Sequence, residues 1–376
     1  MTESRRSNFL TLALLMLLAS PALAHKASDS FLYLDTNSDR VRIDVALRDL
    51  ALLLPIDTNK DRQVTGGELR QHRYAIEQII KDRVVFSSGA QTCELTALDW
   101  GVGKHSDGAY AAAQYQIVCP DGASPDRLDY TLLFDRDSLH RGLVQVSSDS
   151  STRLAVMAPD KRRLDLSPAA ETGAWQTFST FVTEGVVHLL IGLDHILFLL
   201  VLMLPATLRQ PERTDRGTRW LPARQQLWEL AGIVTAFTLA HSITLSLAAL
   251  KLVSLPIAWV ETVIAASIAV AAVNVVWPIL GRHTWRLAFG FGLVHGFGFA
   301  SVLSDLTVDT SSLAIALGGF NVGVELGQLT LIALGFPLLA IWARATPLYQ
   351  KAVVPALLVA VMGISLVWVW QRIPAV

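Results

Sequence analysis

The sequence predicts an α-helical integral membrane bundle of six transmembrane helices. Before it stands a mainly β, sandwich-like periplasmic domain with an EF-hand-like helix-loop-helix insertion. Charged residues make up 17% of the 376-residue chain against 52% hydrophobic, and that charge fraction is below the roughly 25% of a soluble domain. Six long apolar segments crowd the second half, each near the ~20 residues that cross a ~30 Å hydrocarbon layer. The first half instead alternates apolar and polar residues over short runs, as strands with one buried face do. A net charge of −1 offers no basic surface for nucleic acid.

The chain opens with Arg5 and Arg6, an apolar run from Phe9 to Leu18, and Pro21-Ala22-Leu23-Ala24. That order reads as a signal peptide over residues 1–24, cleaved after an A-x-A site, with the mature chain beginning at His25. The run is too short to anchor the chain in a bilayer. Export places residues 25–170 in an oxidising compartment, where the two cysteines, Cys93 and Cys119, read as a disulfide; two buried free thiols are the alternative.

In that exported part Val41, Ile43, Val45 and Leu47 alternate with polar residues, and Asp129–Phe134 and Gly142–Val146 are also strand-like, which fits a small β-sandwich. The insertion at 47–83 reads as helix, loop, helix. Its loop, Asp57-Thr-Asn59-Lys-Asp61-Arg-Gln63-Val-Thr65-Gly-Gly-Glu68, has the spacing of a twelve-residue calcium loop, with a bidentate Glu at position 12. Arg62 stands at position 6, where glycine normally makes the sharp turn. The plainer reading is a helix-turn-helix with solvated acids. His25 would pair a free α-amine with its imidazole and could capture Cu²⁺ or Ni²⁺, or be incidental. His72, His105 and His140 have no partner at ligand spacing and are expected on the surface.

Residues 171–376 carry spans at about Trp175–Leu204, Leu230–Leu250, Leu252–Leu280, Leu287–Leu303, Leu313–Trp342 and Ala352–Trp370. With the first entering from the periplasm, Arg209, Arg213, Arg216, Arg219, Arg224, Arg282, Arg286, Arg344 and Lys351 fall in cytoplasmic loops. Lys251, Asp305 and Asp309 fall outside. The arrangement obeys the positive-inside rule for a bacterial inner (plasma) membrane and puts the C-terminus in the periplasm.

Polar residues interrupt these spans: Glu184, His188, Asp194 and His195, then His241, then Glu261, Ser267 and Asn274, then His295, then Asn321, Glu325 and Gln328. An ionisable residue at mid-span costs roughly 2.5–3.5 kcal/mol on insertion scales, so this many call for a compensating role. Imidazole with carboxylate is the ligand chemistry of Ni²⁺, Co²⁺, Zn²⁺ and Cu²⁺. A purely structural hydrogen-bond network is the alternative, and for Asn274 the preferred one. His188 and His195 are seven residues apart, ~10.5 Å along a straight helix. Either Gly192 breaks the helix between them, or they are successive stations on a path. Gly290, Gly292, Gly296 and Gly298 around His295, and Gly319, Gly323 and Gly327 around Glu325, have the small-residue spacing of close helix packing.

The run His188-Leu-Leu-Ile-Gly-Leu-Asp194-His195 resembles the H-x5-D-H signature of the HupE/UreJ group of nickel and cobalt permeases. Phe237–Leu245 around His241, Phe291–Phe297 around His295, and Phe320–Glu325 are similar to further blocks of its larger relatives, which carry an added periplasmic domain. Leu189 stands where the smaller permeases commonly have proline. The resemblance implies a permease for a divalent transition metal, nickel or cobalt first, with zinc or copper as alternatives.

The metal-site candidates are therefore His188, Asp194, His195, His241, His295, Glu325, Asn321 and Glu261, with His195, His241 and His295 as the first-choice ligands. The calcium candidates are Asp57, Asn59, Asp61, Gln63, Thr65 and Glu68. The expected partners are the bilayer, the ion, and periplasmic metal-delivery or metalloenzyme-maturation proteins. The competing classes are an intramembrane metal-dependent hydrolase and a calcium-responsive membrane sensor. Neither H-E-x-x-H nor G-x-S-x-G occurs in the membrane part, and Gly101-Val-Gly103-Lys104-His105 lacks the Ser/Thr and spacing of an ATP-binding loop.

Overall fold

A computed structural model describes residues 28–373 except 62, 106–107, 149–151, 168–173, 209–211, 215–216, 220–221, 281–283 and 305–309. The signal segment, its cleavage site and His25 lie outside the described residues, as do Arg62, Arg209, Arg216, Arg282, Asp305 and Asp309.

The N-terminal domain is two stacked sheets. One orders β5 (Glu94–His105), β6 (Gly108–Val118), β2 (Arg40–Ala46), β1 (Asp29–Asp35), β8 (Arg141–Ser147) and β9 (Thr152–Met157). The other orders β10 (Arg163–Asp165), β7 (Arg127–Tyr130), β3 (Val84–Ser88) and β4 (Gln91–Thr92). β1 pairs parallel with β8 and antiparallel with β2. Alternation sends Leu32, Leu34, Val41, Ile43 and Val45 into the core between the sheets with Phe86, Leu128 and Tyr130. Cys93 and Cys119 are joined by a disulfide across the start of β5 and the end of β6.

Two strand predictions need correction. Leu47 leaves β2 for a single helical turn, Leu47–Leu50. The run Asp129–Phe134 is a strand only to Tyr130; Leu133 then takes a left-handed backbone, φ 63°, and both Leu132 and Leu133 reach the core from a turn. Apolar residues without alternation marked burial there, not a strand.

In the insertion, helix α1 (Gly66–Arg83) begins with a capping box, Thr65 and Glu68 each bonding the other's backbone N–H. Its Leu69, Ile76 and Ile80 join the sandwich core. The incoming helix of the expected helix-loop-helix is reduced to the turn Leu47–Leu50.

The second half is helical: α2 (Ala174–Ile191), α3 (Leu193–Leu208), α4 (Ala223–Ala249), α5 (Ile257–Val276), α6 (Thr284–Ser304), α7 (Thr310–Ala345) and α8 (Val354–Arg372). A hairpin of β11 (Glu212–Thr214) and β12 (Gly217–Arg219) links α3 to α4. Four of the described helices, α4, α5, α7 and α8 with the turn before it, are long and apolar enough to cross a membrane, and the bent pair α2–α3 makes up to five. Helix α6 covers the predicted span Leu287–Leu303. The chain is thus a multi-pass membrane protein.

Glycine sets the closest approaches. A Cβ at Gly185 of α2 would lie 2.9 Å from Val324 N of α7, and one at Gly323 would lie 3.1 Å from the Gly185 Cα. On the other side a Cβ at Gly292 of α6 would meet Ala240 Cβ of α4 at 2.9 Å, and one at Gly296 would meet Leu245 N at 3.0 Å. By contrast Gly290 faces open space. The outer face of the six-stranded sheet is covered too: Phe31, Ala46, Tyr110, Leu143, Leu154 and Val156 share one hydrophobic cluster with Phe181, Leu245, Ala249, Leu313, Leu317 and Phe320 of the helices. The β domain therefore sits on the end of the bundle formed by the C-terminus of α4 and the N-terminus of α7.

Candidate metal path in the helical bundle

The first predicted span is broken at Gly192, with α2 and α3 meeting at a bend of 73°. A side chain cannot fit there, since a Cβ would lie 2.6 Å from His195 Nδ1 and 3.0 Å from His188 O. The break removes the straight-helix separation of the two histidines, whose ring centroids are 5.0 Å apart. His195 is in turn 5.4 Å from the ring of His295 on α6. His188 also feels Asp194, His195, His241 and His295 electrostatically, so one neighbourhood holds all the intramembrane histidines.

In each of three rings a second residue decides which nitrogen carries the proton. Asp194, in the first turn of α3, accepts from the backbone N–H of His195 at 2.9 Å and from its Nδ1 at 3.0 Å. A carboxylate only accepts, so Nδ1 holds the hydrogen and Nε2 the lone pair. Asn321 donates its Nδ2 to Leu317 O at 2.8 Å, which turns its Oδ1 toward His241 Nδ1 at 3.1 Å. His241 Nδ1 is therefore the donor, and Nε2 again keeps the lone pair. Ser267 spends its hydroxyl hydrogen on Ile264 O at 2.7 Å, so at 3.3 Å it accepts from His295 Nε2 and leaves the lone pair on Nδ1. Among the described residues these same three atoms, His195 Nε2, His241 Nε2 and His295 Nδ1, are buried with no protein partner. A buried lone pair without a donor costs ~1–3 kcal/mol, and three on three helices form an unspent ligand set.

Aromatic rings wall this set: Phe237 stands 5.3 Å from His295 and 6.0 Å from His241, Phe198 stands 5.5 Å from His295, and Phe320 stands 5.3 Å from His188. Among the described residues no three His, Cys, Asp or Glu side chains converge into a closed ligand group, and the three nitrogens stand apart in this conformation.

Of the other candidates, Glu325 accepts from Thr235 Oγ1 at 2.6 Å, and Gln328 accepts from Thr238 Oγ1 at 3.1 Å; both belong to the α4–α7 seam that also carries Asn321 and His241. Thr235 and Phe198 were not singled out in the sequence, and Phe237, Thr238 and Phe320 entered only as members of the resembling blocks. The threonines lie six and three residues before His241, on its side of α4, but threonine is too common in spans to stand out. Glu261 lies near the start of α5, where its backbone carbonyl accepts from Arg372 at 3.4 Å; its visible contact is with α8, not with an imidazole. Asn274 accepts from Leu280 N at 2.9 Å at the end of α5, a structural role as expected.

In the calcium-like loop, Glu68 accepts from Thr58 N at 2.9 Å and Asn59 N at 3.3 Å through one oxygen, and from Thr65 N at 2.9 Å and Thr65 Oγ1 at 2.8 Å through the other. These bonds, led by the Thr65 N–H, hold its carboxyl down to about 2. Asp61 accepts from Asn59 Nδ2 at 2.9 Å and Gln63 N at 2.7 Å. Glu68 and Asp61 thus bond the loop itself.

Two expected surface histidines are buried. His140 donates or accepts at 2.7 Å with both Ser28 Oγ and Tyr130 OH, and burial pushes its pKa down to about 3. His105 bonds Asp44, which also takes both arms of Arg42, and stacks on Phe31. His72 on α1 is half-buried. Burial of His105 follows from the covered outer sheet face, which sequence alternation alone cannot reveal.

No curated protein matches the chain significantly. The family described as HupE / UreJ protein, a transporter-type family, matches residues 166–372, more than half of the chain and all of the bundle. With the histidine blocks in place on four helices and the family match spanning them, the chain belongs to the HupE / UreJ family.

Proposed function

We propose that this protein is a permease for a divalent transition-metal ion, of the nickel and cobalt class first and zinc or copper otherwise. The bundle crosses the bacterial inner membrane six times with the β domain in the periplasm, the bent pair α2–α3 counting as one span and α6 as another. The observation that carries this reading is the set of three buried imidazole nitrogens without a protein partner among the described residues, each with its tautomer fixed by Asp194, Asn321 or Ser267. Neutral imidazoles can replace an ion's water shell without adding fixed charge in hydrocarbon, while Asp194 and Glu325 balance its charge. Separated nitrogens hold an ion weakly enough to pass it on. A structural network would have closed on itself, because buried polar groups normally find partners.

The signal peptide, metal capture at His25, calcium at Asp57–Glu68, and a role of the β domain in receiving the ion from a periplasmic delivery or metalloenzyme-maturation protein belong to the same proposal. Purified protein in proteoliposomes should accumulate one of Ni²⁺, Co²⁺, Zn²⁺ or Cu²⁺. His195→Ala, His241→Ala and His295→Ala should each abolish that flux with the protein still inserted. Wild-type flux in all three variants would overturn the reading.

A further inference from the structure

Resting on the permease reading, we propose that Glu184 is the outermost cation ligand of the path and that Arg141 of the β domain competes with the incoming ion for it, so that docking of the domain controls access to the histidines.

Glu184 precedes His188 by four residues on α2, so the two share a face one turn, or ~6 Å, apart. From His188 the rings continue to His195 at 5.0 Å and His295 at 5.4 Å. The carboxylate therefore extends the histidine file toward the end of the bundle on which the β domain sits. At that point the partner of Glu184 comes from the other domain: Arg141 Nε lies 3.4 Å from Glu184 Oε2. The guanidinium is held from behind, its Nη1 donating to Leu139 O at 3.2 Å and His140 O at 3.0 Å. Arg141 N is tied to Ser28 O at 3.0 Å, which fixes the base of the side chain. Asp160 and Lys161 are the further β-domain charges felt at Glu184.

The contact is an odd choice for adhesion. Both side chains are mostly buried, 16% and 19% exposed, beside a hydrophobic cluster that already joins the domains. Desolvation of such a pair offsets most of its Coulomb attraction, and apolar side chains would join the surfaces as well. A guanidinium on a carboxylate at the mouth of a cation path has another consequence. While Arg141 is engaged, Glu184 is neutralised and an arriving divalent ion meets a positive group. When Arg141 withdraws, the freed carboxylate attracts the ion and hands it to His188 one turn further in. The Asp44, Arg42 and His105 cluster on the same sheet face cannot play this part, because its carboxylate is saturated by its own domain.

The test uses full-length protein in proteoliposomes with external Ni²⁺ varied, alongside equilibrium Ni²⁺ binding to the detergent-solubilised protein. Arg141→Ala should lower the half-saturating Ni²⁺ about tenfold, and Glu184→Gln should raise it about tenfold, with Ni²⁺ still bound by the histidines. In the double variant the effect of Arg141→Ala should vanish. If Arg141→Ala and Glu184→Gln move half-saturation in the same direction, the pair is only a docking contact and the inference is wrong. An active wild type with unchanged variants sinks this inference alone; a wild type inert toward Ni²⁺, and toward Co²⁺, Zn²⁺ and Cu²⁺ in the same binding and flux assays, sinks the permease reading beneath it.

Discussion

Asn321→Ala probes the link between a neutral amide and metal affinity. Asn321 is fixed by its bond to Leu317 O and presents Oδ1 to His241 Nδ1 at 3.1 Å. Removing it leaves an N–H buried on a ring only 1% exposed, a cost of ~1–3 kcal/mol. The ring can escape that cost by moving its proton to Nε2, where the ion needs the lone pair. Either outcome penalises the metal-competent form by the same ~1–3 kcal/mol, which is roughly 5- to 150-fold in affinity. Loss of a ligand-orienting partner typically gives 10–100-fold, in agreement. Equilibrium dialysis of the purified protein against Ni²⁺ or Co²⁺ reads the change directly. Asn321→Asp, whose carboxylate accepts the same N–H more strongly, should retain or raise affinity. Asn274→Ala, which removes an acceptor for Leu280 N at the end of α5, should not alter binding. If Asn321→Ala binds as wild type does, or loses no more than Asn274→Ala, the tautomer argument for all three histidines fails.

Gly323→Ala would put a Cβ 3.1 Å from the Gly185 Cα and should lower thermal stability in detergent by ~1–3 kcal/mol, whereas Gly290→Ala, which meets open space, should be neutral. Without reductant, thiol labelling should find no free cysteine; replacing both Cys93 and Cys119, which close a 26-residue separation, should cost the β domain ~3 kcal/mol. His140, lowered from 6.5 to about 3 by burial, binds its proton in the unfolded chain first, so stability falls as pH drops below 6.5 and continues to fall to about 3. At pH 5 the loss is ~2 kcal/mol, and melts of wild type against His140→Gln should show that much less acid sensitivity in the variant. Calorimetry should find Ca²⁺ binding at ~10⁻⁴–10⁻³ M, weakened by Glu68→Gln; no heat at millimolar Ca²⁺ would leave Asp57–Glu68 as a self-bonded capping loop.

What the sequence disclosed follows from periodicity and from the cost of burying charge. Val41, Ile43 and Val45 announced one face of β2, and the intramembrane histidines announced a shared polar centre because hydrocarbon tolerates them only together. Gly292 and Gly296 announced the close approach of α6 to α4. The incoming helix of the calcium-like motif was misread because a motif fixes ligand spacing and says nothing of the length of its flanks. His140 was misread because its partners, Ser28 and Tyr130, are 112 and 10 residues away in sequence, a contact that only the parallel pairing of β1 with β8 creates.

The break at Gly192 was one of two readings the spacing allowed, and its physical consequences explain why it was the one realised. A straight helix would have carried Asp194 past His188 in a continuous span, with its carboxylate paired to nothing but distant rings. Breaking the helix starts α3 anew at Leu193, so Asp194 falls in a first turn, where exposed N–H groups and the helix dipole favour a negative charge. The same carboxylate then locks His195, whose Nε2 is left toward the neighbouring imidazoles. Here the bend does three things with one glycine: it closes roughly 10.5 Å of straight-helix distance to a 5.0 Å ring contact, it places the Asp194 carboxylate in a first turn beside the rings, and it fixes a tautomer. A substitution at Gly192 should therefore disturb metal binding before it disturbs insertion, because the Cβ collides with His195 Nδ1 and His188 O rather than with the apolar packing that holds the bundle in the membrane.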